Sequence, residues 1–332
     1  MHRRDRPLAM EQTARGAVLN DRVQTFLAQS PFADWVSVAL AGDASGRNYR
    51  RLTGPAGQSA IVLDAPPGSG EELGPFLTIG QHLLGLGLSA PEILYADIRT
   101  GLLITTDLGP HHFAQWLKLH PLQETELYAT AVDVLAVVQG HIAPPGLTAL
   151  TPAHAARMIE PLVEWYAPGA PMTILIDALE LALMRHAPEA TCLALRDYHA
   201  ENLIWRPERH GLDRVGLLDY QDAVLAPAEY DLVSLLRDAR RDVADQVTIA
   251  MTARFAWQTG KELSAVQAAS ACIGVQRNLR ILGIFARQAQ RDGRTRYLGL
   301  MPRVWGHIQR DLQHPALSDL AKLIDTFIPV PQ

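Results

Sequence analysis

Leu193-Ala194-Leu195-Arg196-Asp197-Tyr198-His199-Ala200-Glu201-Asn202 runs directly into Leu203-Ile204-Trp205, a polar loop over residues 206–214, and then Val215-Gly216-Leu217-Leu218-Asp219. Two β-like runs joined by a loop containing Pro207 and Gly211 predict an antiparallel hairpin. Asn202 opens the first run and Asp219 closes the second, so a hairpin sets them at the same end. Asp197 lies in the loop feeding that end. Three oxygen-bearing side chains are therefore expected at one point.

Phosphoryl transfer asks for this kind of equipment. It needs an acceptor hydroxyl held and relieved of its proton, hard cations bridging the phosphates, and charge stabilisation in a cleft poor in water. Asp and Asn oxygens suit Mg²⁺, which takes few protein ligands and keeps several waters. The spacing Asp197-x-x-x-x-Asn202, followed by Asp219, gives a base, a metal-binding amide and the principal metal ligand in that order. The D-x-x-x-x-N spacing alone is weak. The apolar run before it, the hairpin after it and Asp219 at the hairpin's far end strengthen it against the reading of ordinary loop carboxylates.

Working outward, the first ~20 residues are polar, carry no firm periodicity and are expected to form a flexible tail. Residues 21–28 show Val23, Phe26 and Leu27 at helical spacing. Residues 36–40, 49–53 and 60–64 are short β-like runs broken by Gly42, Gly46, Gly54 and Gly57. Residues 71–88 predict a helix with Phe76, Ile79, Leu83 and Leu86 on one face, and Pro75 suits its first turn. A further run, residues 102–106, ends at Asp107-Leu108-Gly109-Pro110. Beyond it the texture is helical, with Leu127, Ala131, Val134, Leu135 and Val138 in one stripe and residues 174–183 as another candidate. The predicted class is α+β in two lobes: an antiparallel-sheet lobe over residues 21–106 and a larger, mainly helical lobe over 107–332.

Composition narrows the function. The chain has 332 residues, 48% hydrophobic and 20% charged, enough to bury a core without disulfide or metal staples. A net charge of −5 gives no long-range pull toward nucleic acid or anionic membrane. Cys192 and Cys272 are the two cysteines, too few for a disulfide framework or a cysteine metal site, and suited to a reducing compartment. No apolar segment follows the basic start, and stretches such as residues 131–138 are too short to span a bilayer. Cytoplasm is the expected location. The 30 basic residues include only three lysines, Lys118, Lys261 and Lys322.

The loop 193–204 resembles the catalytic loop of the aminoglycoside phosphotransferase and choline kinase superfamily, relatives of the protein kinases. Gly216-Leu217-Leu218-Asp219-Tyr220-Gln221-Asp222-Ala223 is similar to its metal-binding segment, and Ala226-Pro227-Ala228-Glu229-Tyr230-Asp231-Leu232 to its downstream helix start. The resemblance implies a protein-kinase-like fold, ATP and Mg²⁺ as cofactors, Asp197 as base, Asn202 and Asp219 on the metal, and Asp231 as a brace for the catalytic loop. Within the superfamily the chain looks most like bacterial amino-sugar kinases of cell-wall recycling, which phosphorylate the anomeric hydroxyl of N-acetylmuramate and N-acetylglucosamine. Leu40-Ala41-Gly42-Asp43-Ala44-Ser45, Val62-Leu63-Asp64-Ala65-Pro66-Pro67, Glu164-Trp165-Tyr166, Tyr230 to Asp238 and Leu282 to Arg287 carry that likeness. It implies a small-molecule amino-sugar substrate, with no nucleic acid or membrane partner; no segment singles out a protein partner.

By the same resemblance ATP lies between the lobes, under a loop holding Gly42, Ser45, Gly46 and Arg47, with Thr106 and Leu108 at the hinge beside the adenine. Two departures stand out. Residues 60–64 lack the strand lysine that holds the α/β-phosphates in protein kinases; Arg47, Arg50 or Arg51 could substitute, or metal and backbone could suffice. Leu195 stands two before Asp197, where the superfamily usually has histidine, and altered loop stability with retained chemistry is expected.

Substrate candidates follow from side-chain chemistry. Glu164, Trp165 and Tyr166 offer an aromatic face and a carboxylate for a sugar, or simply core packing. His199 could touch a phosphate or hold the loop, and Asp222 could meet substrate or cap a turn. Arg277 and Arg280, spaced i and i+3 on a predicted helix, could grip an acidic sugar substituent or form a solvated face. Arg237-Asp238-Ala239-Arg240-Arg241-Asp242 mixes both signs and is expected to form surface salt bridges. Rival readings are a kinase of another hydroxyl substrate (an aminoglycoside, a choline-like alcohol), a nucleotide-binding pseudokinase, and, last, a metal-dependent hydrolase suggested by Asp197-x-His199.

Overall fold

The three β-like runs after Trp35 become β1 (Val36–Ala39), β2 (Asn48–Thr53) and β3 (Ser59–Asp64) of a five-stranded antiparallel sheet. In this computed structural model the described residues are 21–40, 47–69 and 73–331; Gly42, Ser45, Gly46 and the predicted tail lie outside them. Contacts group the chain into two units, Met1–Leu77 with Pro91–Leu108, and Thr78–Ala90 with Gly109–Gln332.

The sheet of the first unit has the order β1-β2-β3-β5-β4, with β4 at Ile93–Asp97 and β5 at Leu102–Thr106. Register is set by burial: Leu52 pairs with Ala60, Val62 with Ile104, and all four are buried. Helix α1 (residues 21–28) lays Val23, Phe26 and Leu27 on this face, as its spacing predicts. Arg22 binds the Asp64 carboxylate, closing the end of β3 where the side chain is buried. The β4–β5 turn needs Gly101: its φ is +75°, and a Cβ there would sit 1.9 Å from the Ala65 carbonyl oxygen. Strand β4 carries no clean alternation, because Ile93 and Leu94 are both exposed on this edge strand.

Helix α2 (Leu73–Gly85) begins one residue before Gly74 and ends ahead of Leu86, which is half-buried in the following turn. In the second unit, α3 (Phe113–Leu119) is followed by α4 (Glu124–Gln139), whose predicted stripe of Leu127, Ala131, Val134, Leu135 and Val138 is buried. Helices α5 (Pro152–Arg157) and α6 (Met172–His186) flank a π-helical turn, Leu162–Tyr166. Two small ladders follow: β6 (Cys192–Ala194) with β9 (Val224–Ala226), and the predicted hairpin, β7 (Leu203–Trp205) with β8 (Val215–Leu217).

Helices α7 (Tyr230–Leu236), α8 (Asp245–Thr259), α9 (Leu263–Gln290), α10 (Met301–Leu312) and α11 (Ser318–Phe327) complete the unit. The 28-residue α9 is its central rod, buried along most of its length. At Gly283 it meets the backbone before the π-turn so closely that a Cβ would lie 2.3 Å from Leu162 N and from Pro161 C. Only glycine permits that approach.

Candidate active site

Strands β6 and β9 pair Ala194 with Val224, pinning both ends of the segment that carries the chemistry. Leaving β6, the chain turns sharply: Asp197 N donates to the Leu195 carbonyl at 2.9 Å, His199 N to Asp197 at 3.0 Å, and Asn202 N to His199 at 2.9 Å. Arg196 takes φ of +70° and Asp219 φ of +59°, the two described non-glycine residues in the left-handed region. Such strain persists only where the surroundings over-determine it. At Arg196 they do. Asp231 accepts hydrogen bonds from Leu195 N (2.6 Å) and Arg196 N (3.0 Å), while Ser234 Oγ and Arg277 both donate to the Arg196 carbonyl. Burial pushes the Asp231 carboxyl up to about 7, against the pull of its two N–H donors and of Arg277. Leu195 is buried, and Tyr198 anchors the loop from below through its hydroxyl to the Ala131 carbonyl at 2.9 Å.

The hairpin brings the other two residues in. Leu218 N donates to the Asn202 carbonyl at 3.0 Å, extending the β7–β8 pairing to its open end. Asn202 Nδ2 then donates to the Asp197 carbonyl (3.0 Å) and to Asp219 Oδ2 (3.2 Å). Gln221 Nε2 holds the other Asp219 oxygen at 2.7 Å. Asp197, Asn202 and Asp219 thus stand together, tied through one amide. Among the described residues no group of three or more His, Cys, Asp or Glu could cage a metal by itself.

A cleft of ≈ 240 Å³ within the second unit is lined by Asp197, His199, Asp222, Arg277, Arg280 and Arg240, among others. Five of the sequence candidates, Asp197, His199, Asp222, Arg277 and Arg280, therefore share one space. Glu164, Trp165 and Tyr166 do not line it: Glu164 is exposed, Trp165 packs on the core, and the Tyr166 hydroxyl donates to the Pro329 carbonyl at 2.7 Å. His199 is buried, 3.1 Å from an Arg240 nitrogen. Asp222 is exposed, and its carbonyl accepts from Arg196 at 3.3 Å.

In the first unit Arg47 is buried at the foot of β2, Arg50 donates to Ser37 Oγ at 2.7 Å, and Arg51 pairs with Asp107 at 2.7 Å. Thr106 Oγ1 accepts from Glu92 N at 2.9 Å, and Leu108 is half-buried.

Residues 37–264 match the model of the phosphotransferase enzyme family. The chain belongs to that family. N-acetylmuramate/N-acetylglucosamine kinase of Caulobacter vibrioides is 34% identical to it, over 92% of this chain and 95% of the relative. The protein of the same name from Pseudomonas aeruginosa is 31% identical, over 86% and 87%. Among solved structures, a choline/ethanolamine kinase family protein from Mesorhizobium loti superposes with a TM-score of 0.65 at 15% identity, covering 93% of this chain and 99% of that one. An ADP-bound aminoglycoside phosphotransferase gives 0.56 at 13%, covering 90% and 98%. The fold is the two-lobed α+β fold of these kinases, and the phosphotransferase takes a hydroxyl group as acceptor. Among the described residues no helix is long and apolar enough to cross a membrane.

The phosphotransferase also corrects the reading of residues 237–242. Arg237 pairs with the buried Asp311 at 2.8 Å, and Asp238 is 2% exposed. Only Arg240, Arg241 and Asp242 keep partners nearer the surface. The cause is local: α7 ends at Leu236, and the next two residues turn inward against α10. Gln221 and Ser234 are not marked by the sequence: they act on atoms of other residues, and no spacing points to them.

The same inward turn creates a pH response. His307 on α10 is buried, and its Nε2 donates to the Asp238 carbonyl at 3.2 Å. Burial, with Arg237 and Arg310 nearby, pushes its pKa down to about 4. An unfolded histidine binds its proton near 6.5. The unfolded chain therefore holds the extra proton between pH 6.5 and 4: the stabilisation is whole above pH 6.5 and is lost as pH falls toward 4, on the order of 3 kcal/mol in all. Asp231, whose raised pKa acts in the opposite sense, is common to wild type and His307→Gln. Denaturant midpoints at pH 7.5 and pH 5 should fall further for wild type than for His307→Gln; equal falls would show that His307 is not the group responsible.

Proposed function

We propose that this phosphotransferase transfers the γ-phosphoryl group of ATP, with Mg²⁺, to a hydroxyl of an amino sugar, in particular the anomeric hydroxyl of N-acetylmuramate or N-acetylglucosamine during cell-wall recycling in the cytoplasm. The observation that carries the reading is the meeting of Asp197, Asn202 and Asp219 at the mouth of one hairpin. The names of its relatives support the sugar.

The donor set suits Mg²⁺: one carboxylate and one amide oxygen just outside the ends of two paired strands, leaving room for waters and phosphate oxygens. Asp219 and Asn202 would hold the ion, which neutralises charge developing on the phosphates when bound. Asp197 faces the cleft and would accept the proton of the sugar hydroxyl while orienting its oxygen toward the phosphorus. Asn202 sets the distance between base and metal site by bonding to both. Asp231, Ser234 and Arg277 keep the strained loop from relaxing, so the carboxylate is positioned before substrate arrives. Arg47, the backbone at Thr106 and Leu108, and Gly42, Ser45 and Gly46 are proposed nucleotide contacts; with no lysine in β3, phosphate binding would rest on arginine, backbone and metal.

The test is nucleotide consumption with Mg²⁺ against N-acetylmuramate, N-acetylglucosamine, kanamycin and choline, with a no-acceptor control and GTP beside ATP, since relatives of this fold are solved with GDP and with ADP. Turnover of the acetylated sugars to products phosphorylated at the anomeric carbon is expected. Turnover of kanamycin or choline alone would move the substrate, and none at all would favour a non-catalytic nucleotide binder.

A further inference from the structure

The cleft beside Asp197 holds more arginine than its carboxylates balance, and one arginine there has no hydrogen-bonded partner among the described residues. Arg237 is paired to Asp311 at 2.8 Å and Arg240 to Glu201 at 3.0 Å. Arg196 is spent on the Asp222 carbonyl, while Arg277 donates to the Arg196 carbonyl and lies 5.3 Å over the Tyr230 ring. Arg280, one turn further along α9, lines the same cleft and makes no hydrogen bond or ion pair among the described residues. Burial chiefly, with the charges of Arg196 and Arg277, pushes its pKa down against the opposing pull of Tyr230 and Asp197, so no neighbouring charge fully offsets its desolvation. A guanidinium keeps its charge at any working pH, and its planar fork matches a carboxylate. A half-buried charge of this kind is costly unless something pairs with it. Because it shares the cleft with Asp197, its partner and the reacting hydroxyl would belong to one small molecule.

Resting on the sugar-kinase reading, we propose that Arg280 is the specificity-determining residue of this enzyme: it pairs with a carboxylate on the acceptor sugar and makes the acidic amino sugar the preferred substrate over a neutral one. The carboxylate bonds to the guanidinium while the hydroxyl meets Asp197, so the arginine acts on binding and leaves the chemical step to others. A guanidinium directed at the phosphoryl group would act on that step instead.

N-acetylmuramate and its methyl ester have nearly the same bulk and differ in charge, which isolates this contact. Initial rates with both, and with N-acetylglucosamine, are measured for wild type, Arg280→Gln and Arg280→Lys. Wild type should favour acid over ester in kcat/KM. In Arg280→Gln that preference should collapse through a rise of about 10- to 100-fold in KM for the acid, the worth of hydrogen bonds to a charged group. Arg280→Lys should restore part of it. A wild type with no preference for acid over ester overturns the proposal without recourse to any variant. An unchanged preference in Arg280→Gln overturns it too, as does an equal loss of kcat on acid and ester, which would assign the guanidinium to the phosphoryl group. Wild type turning over no amino sugar at all is a different result, and it removes the sugar-kinase reading beneath.

Discussion

Asp197→Asn should lower kcat by about 10²–10⁴ while leaving KM for both substrates within a few-fold, the range that a positioned general base contributes. The substitution is nearly isosteric, and the loop does not depend on the carboxylate. The bonds that shape residues 195–202 come from backbone groups and from the side chains of Asp231, Ser234, Arg277, Tyr198 and Asn202, and to them Asp197 contributes its N–H and its carbonyl. What disappears is the proton acceptor. The thermal midpoint separates this from distortion: it should be the same in the variant as in wild type. Unchanged turnover, or a loss confined to KM, would remove Asp197 from the role of base.

Asp219→Ala should abolish Mg²⁺-dependent turnover, a fall of roughly 10³-fold or more on the scale by which charge stabilisation contributes to phosphoryl transfer. Alanine at φ of +59° also strains the backbone by about 1–2 kcal/mol, so the loss could be mistaken for a folding defect. Asp219→Asn is the cleaner companion. Asparagine tolerates left-handed backbone, and its amide oxygen can still accept from Asn202 or Gln221. Only the charge goes. Nucleotide affinity measured with Mg²⁺ and with chelator should differ in wild type and become equal in both variants. Continued Mg²⁺-dependent turnover by either variant would refute the metal assignment.

What the sequence discloses follows the kind of force at work. The 203–217 hairpin, the sheet runs β1, β2, β3 and β5, and the α4 stripe are all visible because each is half-buried or bounded by turn residues, so alternation or helical spacing survives in the letters. Strand β4 is hidden because it is an exposed edge, where nothing forces alternation. The extent of α9 is hidden for the opposite reason: buried on nearly every side and rich in small residues, it shows no polar face. Residues 237–242 mislead because mixed charge looks like surface until α10 supplies Asp311 as a buried partner. Glu164, Trp165 and Tyr166 have suitable chemistry for a sugar, and only the course of the chain reveals that they do not line the cleft with Asp197. The triad Asp197, Asn202, Asp219 is legible because its geometry needs only one hairpin, and Arg280 in its cleft gains meaning only when its neighbours' partners are known.

Strand β3 without a lysine has a consequence for how this enzyme can be detected. Acyl-phosphate derivatives of nucleotides tag kinases by acylating an amine beside the bound phosphates. Residues 1–108 contain no lysine, and the three in the chain, Lys118, Lys261 and Lys322, all fall later, with Lys261 committed to Glu229 at 2.7 Å. With the nucleotide at β3 as proposed, inventories of active kinases built on an adduct with that strand's lysine would pass over this protein, and covalent inhibitors designed around that amine would find none on this strand. Reagents selective for guanidinium groups are the matching tools.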